Sequence, residues 1–345
     1  MEKGAPFDVD SPLCCDLFNR FQGVQSAIGK MSNPLEGHIR YEMVQELGKG
    51  SQGSVLLAND KFTNDKVAIK FLPRGIQMNE KVQRELLNHR KFWHAHVIQF
   101  YEVFLTEKYV CIVMEYAPGG SLSDYLSTNM LTEDGARFFF QQLVFAVKYC
   151  HHMGVANRDI KLENTLLSDK DSKLLKLCDF GLSKDETSLC RTRVGTPNYL
   201  SPEIIQMPRG GTYDGKQSDV WCCGVMLYVM LCRAFPFDTP EDRNLPKKDA
   251  MLKLMERIVQ GQWSIPENIN LSPECLDLLK GILKPDPSER LSIGGILAHP
   301  WYRIGLPPGA DSSSYPVRPE EGLQTVESII EIVREARNTD DPELP

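Results

Sequence analysis

No apolar run in this 345-residue chain is long enough to cross a membrane. The longest, Cys222 to Cys232, covers eleven residues and includes a glycine, against the ~18 that a spanning helix needs. An excess of positive charge is missing too. The chain has 39 Lys and Arg against 46 Asp and Glu, a formal net charge of −7, so no global cationic field draws it to nucleic acid or anionic lipid. Its ten cysteines have neither the spacing of a disulfide framework nor paired CxxC zinc hooks, and Cys150, Cys222, Cys223 and Cys232 lie in apolar runs. The acidic start MEKGAPFDVDSP lacks the features of a secretory leader, so reduced thiols and a cytoplasmic or nuclear location are expected. Internal repeats and long low-complexity tracts are absent as well, and 42% hydrophobic with 25% charged residues excludes a disordered, collagenous or coiled-coil chain.

The chain is long enough for one large domain or two small ones. Residues 1–40 read as an extension with a short helix near Leu13 to Phe21. From Tyr41, β-branched and aromatic runs (YEMVQELG, SVLLAND, KVAIKFL, VIQFYEVF, YVCIVMEY) predict strands, interrupted by one helix over Asn79 to Trp93. After Ala117-Pro118-Gly119-Gly120 the period turns helical. Ala136, Phe139, Phe140, Leu143, Val144 and Val147 fall on one helix face, with Thr132 as its N-cap. Further helices are predicted over Ser218–Leu231, Lys247–Val259, Ser272–Leu283 and Ser292–Ala298. The expectation is an α+β chain in which a small antiparallel β lobe with one main helix precedes a larger helical lobe. Residues 303–320 read as a linker. Thr325 to Arg337 puts Val326, Ile329, Ile330 and Val333 in an apolar stripe on a charged helix, which needs a surface to bury against.

The first chemical signal is Gly48-Lys49-Gly50-Ser51-Gln52-Gly53-Ser54-Val55. Glycines let a backbone approach phosphate oxygens closely, although such a turn can be only a hairpin. A dinucleotide fold is disfavoured because SVLLAND reads as strand where that fold needs a helix. Lys70 ends the strand Val67-Ala68-Ile69-Lys70, seventeen residues after Gly53. Asn157-Arg158-Asp159-Ile160-Lys161-Leu162-Glu163-Asn164 then places an Asp and an Asn five apart. Asp179-Phe180-Gly181 begins fifteen residues beyond Asn164, and Ser201-Pro202-Glu203 closes the series.

In these motifs, in this order, the chain from about Tyr41 to Trp301 resembles a eukaryotic protein kinase, with an N-lobe over 41–116 and a C-lobe over 120–302. The resemblance implies the bilobal kinase fold and the roles that follow. Gly48, Gly50 and Gly53 would cover the phosphates of ATP. Lys70 would contact the α and β phosphates and pair with Glu85. Asn164 and Asp179 would hold Mg²⁺, Asp159 would take the proton of the substrate hydroxyl, and Lys161 would steady the moving phosphoryl group. Met114 looks like the gatekeeper, and Glu115 and Ala117 would offer backbone groups to adenine. Leu47, Val55, Ala68 and Leu166 would line the nucleotide pocket, although core packing explains Val55 and Cys178 equally well. Lys161 and Thr196 resemble the serine/threonine class. Asp219 would bind the catalytic-loop backbone, and Glu203 would pair with Arg290. Cys178 and Cys190 are read as unreactive thiols rather than oxidant sensors.

The stretches VQRELLNHR, HAHVIQFYEVF, IVMEYAPGGSL, RDIKLENTLL with Leu162 in place of the common Pro, VGTPNYLSPE and the acidic PFDTPEDRN insert resemble the osmotic-stress and abscisic-acid-activated kinases of plants, subfamily two of the sucrose-non-fermenting-related kinases. That resemblance implies a tail helix packed on the Glu85 helix, an upstream kinase, a protein phosphatase, and protein substrates with Ser/Thr acceptors. Arg158 and Lys184 would gather around a phosphate, with Thr192 the first candidate phosphosite and Ser188 and Thr187 next. There are departures: Asn157 stands where His is usual and is expected to keep one hydrogen bond to backbone with less apolar packing, Gln52 replaces an aromatic, and Ser121 replaces Glu. Glu163 is retained and favours an Arg upstream of the target hydroxyl. Asn157 motivates the alternative of a weakly active pseudokinase or scaffold. A calcium/calmodulin-dependent-like kinase is the other alternative.

Overall fold

A computed structural model describes residues 33–50, 53–75, 78–171, 173–181, 183–185, 197–208, 210–307, 309–310 and 315–337. The helix expected near Leu13 to Phe21, Gln52, Thr187, Ser188, Cys190, Thr192 and Thr196 lie outside the described residues.

Five strands, β1 (Tyr41–Gly50), β2 (Gly53–Asp60), β3 (Lys66–Pro73), β4 (Phe100–Leu105) and β5 (Tyr109–Glu115), form an antiparallel sheet in the order β1-β2-β3-β5-β4. β1 and β2 are joined as a hairpin in which Gly50 faces Gly53. Gly53 has φ +154°, and a Cβ there would lie 1.9 Å from the carbonyl oxygen of Phe71, so no other residue fits. Between β3 and β4 runs α1 (Glu80–Lys91), N-capped by Asn79, whose side chain accepts from Lys81 N. The part of the N-terminal extension that is described packs on this lobe. Leu35 is buried, and Arg40 bonds Asp60 at 2.9 Å and Glu102 at 3.0 Å.

The second lobe comprises α2 (Leu122–Thr128), α3 (Glu133–His152), α4 (Pro202–Gln206), α5 (Gly215–Cys232), α6 (Lys247–Gln260), α7 (Pro273–Ile282), α8 (Ile293–Ala298) and α9 (Pro300–Arg303). Two small antiparallel pairs lie at its upper face, β6 (Val155–Ala156) with β9 (Lys184–Asp185) and β7 (Thr165–Leu167) with β8 (Leu175–Leu177). Thr132 caps α3 by accepting from Gly135 N at 3.2 Å, and all six residues of the expected α3 face are buried. α5 contains the longest apolar run and is buried nearly all round, as a helix at the centre of a large core must be. Among the described residues no helix is long and apolar enough to cross a membrane.

Several boundaries differ from the sequence reading for local reasons. Asp214 accepts from Lys216 N and starts α5 ahead of Ser218. Ser272 and Ser292 are N-caps rather than helical residues. α2 was hidden behind the glycine break. It begins there because Ser121 and Asp124 form a reciprocal capping box. Val97 and Ile98 leave the N-lobe sheet and bind Leu177 instead, which shortens β4.

The tail helix α10 (Val326–Arg337) packs on α1, β4 and β5. Its buried stripe is Ile329, Val333 and Ala336 with Ile332 partly buried, while Val326 is exposed. Of the expected stripe Ile329 and Val333 are buried and Ile330 is partly buried, so the buried face is rotated only in part, toward Ala336 and away from Val326. The rotation is set outside the apolar pattern, by Gln324 exchanging two hydrogen bonds with the Val103 backbone (2.8 and 2.9 Å) and by Gly75 N donating to Ala336 O at 2.9 Å.

Burial lowers the pKa of His89 to about 4 and that of His94 to about 4. In the unfolded chain both titrate near 6.5. The unfolded state therefore binds more protons between those values, and their contribution to stability is complete above pH 6.5 and lost as pH falls toward 4. The urea midpoint is expected to fall through that window, and less steeply in His89→Gln. Equal slopes would show that His89 does not contribute.

Candidate active site

Paired registers Val55↔Lys70 and Ala68↔Met114 place Val55, Ala68, Lys70 and Met114 on one face of the sheet. Val55, Met114 and Leu166 are half-buried, Ala68 is buried, and Leu47 is 39% exposed. Beneath the hinge, Gly119 N donates to Leu167 O and Leu167 N to Gly120 O, and Ser121 bridges to Leu166, which places β7 directly under the segment that joins the lobes. The Glu115 N–H is already engaged by Gln99 O at 2.9 Å, and its carboxylate holds Lys176 at 2.6 Å. The Glu115 N–H is therefore not available to a ligand, and Ala117 lies buried two residues on.

Lys70, Glu85 and Asp179 come from β3, α1 and the turn after β8, and they meet at one point. Lys70 Nζ lies 3.4 Å from Glu85 Oε1 and 3.3 Å from Asp179 Oδ1. Burial opposes the charge on Lys70, but the two carboxylates outweigh it and hold the ammonium above its ordinary pKa. For Asp179 burial is likewise overcome, by Lys70 and by the Gly181 N–H at 3.1 Å, and its carboxyl is held below the ordinary range.

A second cluster is built on the segment between β6 and β7. Lys161 Nζ is 2.8 Å from Asp159 Oδ2. Asn164 Nδ2 donates to the same carboxylate oxygen at 2.7 Å and to Asp159 O at 3.0 Å. Burial raises the pKa of the Asp159 carboxyl despite Lys161 and Asn164. The two clusters are tied by Cys178 N donating to Asn164 O at 2.9 Å.

The backbone beneath is strained and braced. Arg158 (φ +68°) and Asp179 (φ +56°) both adopt the left-handed conformation, costly for residues with a Cβ. Asp219, fully buried, accepts from Asn157 N at 2.9 Å and Arg158 N at 2.8 Å. Asn157 then ties the two strained turns together. Its Nδ2 donates to Asp179 O at 3.2 Å, and its Oδ1 accepts from Asp159 N at 3.0 Å. It keeps two hydrogen bonds, not the single one expected, because an amide presents a donor and an acceptor at once.

The protein kinase domain family matches residues 41–302. Serine/threonine-protein kinase SAPK9 of Oryza sativa subsp. japonica is 44% identical over 305 residues, covering 86% of this chain and 82% of the relative. SRK2I of Arabidopsis thaliana is 42% identical over 304 residues, with the same coverages. SRK2A of Physcomitrium patens is 43% identical over 311 residues, 88% of this chain and 86% of its own. The chain belongs to the plant sucrose-non-fermenting-related kinases, subfamily two. It is a serine/threonine protein kinase, which uses ATP and a divalent cation.

The donor set of the kinase fits such a cation only in company with phosphate. Among the described residues no group of three His, Cys, Asp or Glu could hold a metal ion. Asn164 and Asp179 offer oxygen atoms, as a hard cation that keeps waters and phosphate oxygens requires. Three carboxylates against two ammoniums leave the cleft net negative, so a polyphosphate needs added positive charge there.

Arg158 Nε donates to Tyr213 OH at 2.8 Å, and the Tyr199 hydroxyl accepts from Leu162 N at 3.3 Å. Neither tyrosine was flagged by the sequence, since both reach the catalytic segment from residues distant in the chain, Tyr199 from a short 3-10 turn and Tyr213 from the loop ahead of α5. Glu203 and Arg290 pair through two bonds of 2.9 Å. Cys178 is an unmodified thiol whose pKa burial pushes up, which agrees with an unreactive side chain.

Asn157→Ala removes two buried hydrogen bonds, each worth about 1 kcal/mol. Turnover on a peptide substrate is expected to fall about tenfold or more while the thermal midpoint moves only a few degrees. Unchanged turnover would show that the brace is dispensable.

Proposed function

We propose that the kinase transfers the γ-phosphoryl of Mg·ATP to protein Ser/Thr hydroxyls in stress-response signalling, and that phosphorylation of its activation segment switches it on. The observation that carries this reading is the meeting of the Lys70–Glu85–Asp179 cluster with the Asp159–Lys161–Asn164 cluster in one cleft. Phosphoryl transfer asks little covalent work of a protein and depends on positioning and on offsetting charge. Lys70, fixed by Glu85, would hold the α and β phosphates, and Gly48, Gly50 and Gly53 would close over them. Leu47, Val55, Ala68, Met114 and Leu166 would enclose the adenine, with Glu115 and Ala117 giving backbone groups to its edge. Asp159 would orient the acceptor hydroxyl and take its proton, and Lys161 would accompany the moving phosphoryl group. Mg²⁺, held by Asn164 and Asp179, would supply charge compensation between the phosphates.

Regulation follows from Arg158, whose guanidinium is 5.4 Å from the Tyr213 ring centroid and one residue from Asp159. A phosphate on Thr192 or Ser188 would pair with it and with Lys184. An upstream kinase and an opposing protein phosphatase are the implied partners, and Glu163 favours substrates with an upstream Arg. The setting is cytoplasmic, nuclear or both. The scaffold alternative, prompted by Asn157, has less support because that residue makes two hydrogen bonds to the backbone of the catalytic segment and of Asp179.

The test is Mg·ATP-dependent labelling of a Ser/Thr peptide by the full chain. Asp159→Ala is expected to lower the rate by about 10²- to 10⁴-fold. Thr192→Ala with Ser188→Ala is expected to leave only weak activity after treatment with an activating kinase. Equal labelling by the wild-type and Asp159→Ala proteins would sink the assignment of the base. Full activity of the double variant would sink the activation site alone.

A further inference from the structure

The stretch before α10 reads as a spacer, yet it is pinned to both lobes. Tyr315 packs edge-on to Tyr149 of α3, ring centroids 4.9 Å apart. Three residues later Arg318 enters the N-lobe. Its Nη2 donates to Phe100 O at 2.6 Å, and its Nη1 donates to Phe92 O at 3.3 Å and to Arg90 O. The guanidinium also lies 5.8 Å from the Trp93 ring centroid.

These carbonyls define a joint. Arg90 and Phe92 lie at the C-terminus of α1, where intrahelical donors have run out and the helix dipole favours a cation. Phe100 opens β4. Arg318 therefore clasps the end of α1 to the start of β4 with one rigid planar cation, something a lysine cannot do. Around the joint, the Phe92 ring packs 4.6 Å from that of Phe180, and His89 sits between Phe100 (5.7 Å) and Phe180 (5.3 Å). Phe180 is the neighbour of Asp179, and α1 carries Glu85. A displacement at the joint thus moves both carboxylates that share Lys70.

We infer that Arg318 is a positioning residue for phosphoryl transfer, acting from the tail through the α1–β4 joint on the Glu85–Lys70–Asp179 cluster. This rests on the phosphotransferase reading of that cluster. Gln99 Nε2 donates to the same Phe92 and Phe100 carbonyls at 3.0 and 3.3 Å, so loss of the guanidinium leaves the joint partly satisfied and the lobe folded.

The experiment measures kcat and KM for ATP in the full chain for wild type, Arg318→Ala, Arg318→Gln, Arg318→Lys and Glu85→Ala, and for Glu85→Ala combined with Arg318→Ala. Arg318→Ala and Arg318→Gln should lower kcat by about threefold to thirtyfold, with a smaller change in KM, and Arg318→Lys should recover only part of the loss. In the Glu85→Ala background Arg318→Ala should add little, because both changes act on one ion pair. A residue that merely stabilised the lobe would shift the melting temperature and leave the two kcat losses multiplicative. Wild-type kcat in a folded Arg318→Ala or Arg318→Gln protein, or multiplicative losses in the double variant, overturns the inference. Asp159→Ala as the blank separates this from failure of the underlying reading: if the wild-type rate equals that blank, the phosphotransfer assignment fails first.

Discussion

A half-buried ammonium between two carboxylates organises this kinase. Lys70, Glu85 and Asp179 belong to a strand, a helix and a turn of the opposite lobe, and they meet at 3.3 and 3.4 Å. Burial opposes each charge, and the two carboxylates offset that penalty for Lys70 as Lys70 does for Asp179. The sheet register fixes Lys70, the packing of α1 fixes Glu85, and the left-handed backbone at Asp179 aims its carboxylate. Each of these supports is itself held by contacts farther out, which is how residues remote from the cleft come to matter for it.

The lower half of the site shows how strain is contained. Arg158 and Asp179 sit on neighbouring turns in a conformation that L-residues adopt at a cost. Asp219 satisfies two backbone N–H groups from below, and Asn157 spans the turns from the side. The resemblance to protein kinases leads one to expect His at the latter position. Asn works here because its short amide reaches both backbone groups without the apolar packing of an imidazole. Its presence is therefore compatible with an intact catalytic segment.

The tail extends the same logic beyond the catalytic domain. α10 covers apolar surface of α1, β4 and β5, while Arg318 and Gln324 ahead of it supply directed hydrogen bonds to backbone that the sheet and helix leave open. Burial by itself would have permitted the helix to rotate about its axis. The hydrogen bonds at its two ends select one rotation, which is why the buried stripe differs from the one that hydrophobic spacing favoured.

What could be read in the sequence followed from local chemistry. The glycine spacing, Lys70 at the end of an apolar strand, the Asp159–Asn164 pair and Asp179-Phe180-Gly181 are weak signals singly, and it is their order along the chain that resembles a protein kinase and so implies phosphate chemistry. The α3 face and its Thr132 cap were legible because periodicity and capping act within a few residues. Other features were invisible because they join residues distant in sequence: Arg318 to the carbonyls of Arg90 and Phe100, Tyr213 to Arg158, Asn157 to Asp179. A side chain's polar atoms say that it needs a partner, but only the packed lobes decide which backbone groups are left open for it. The sequence by itself determined the chemistry and the order of the lobes; the tertiary structure decided how the two carboxylates are held against Lys70, since that depends on long-range contacts that no local pattern encodes.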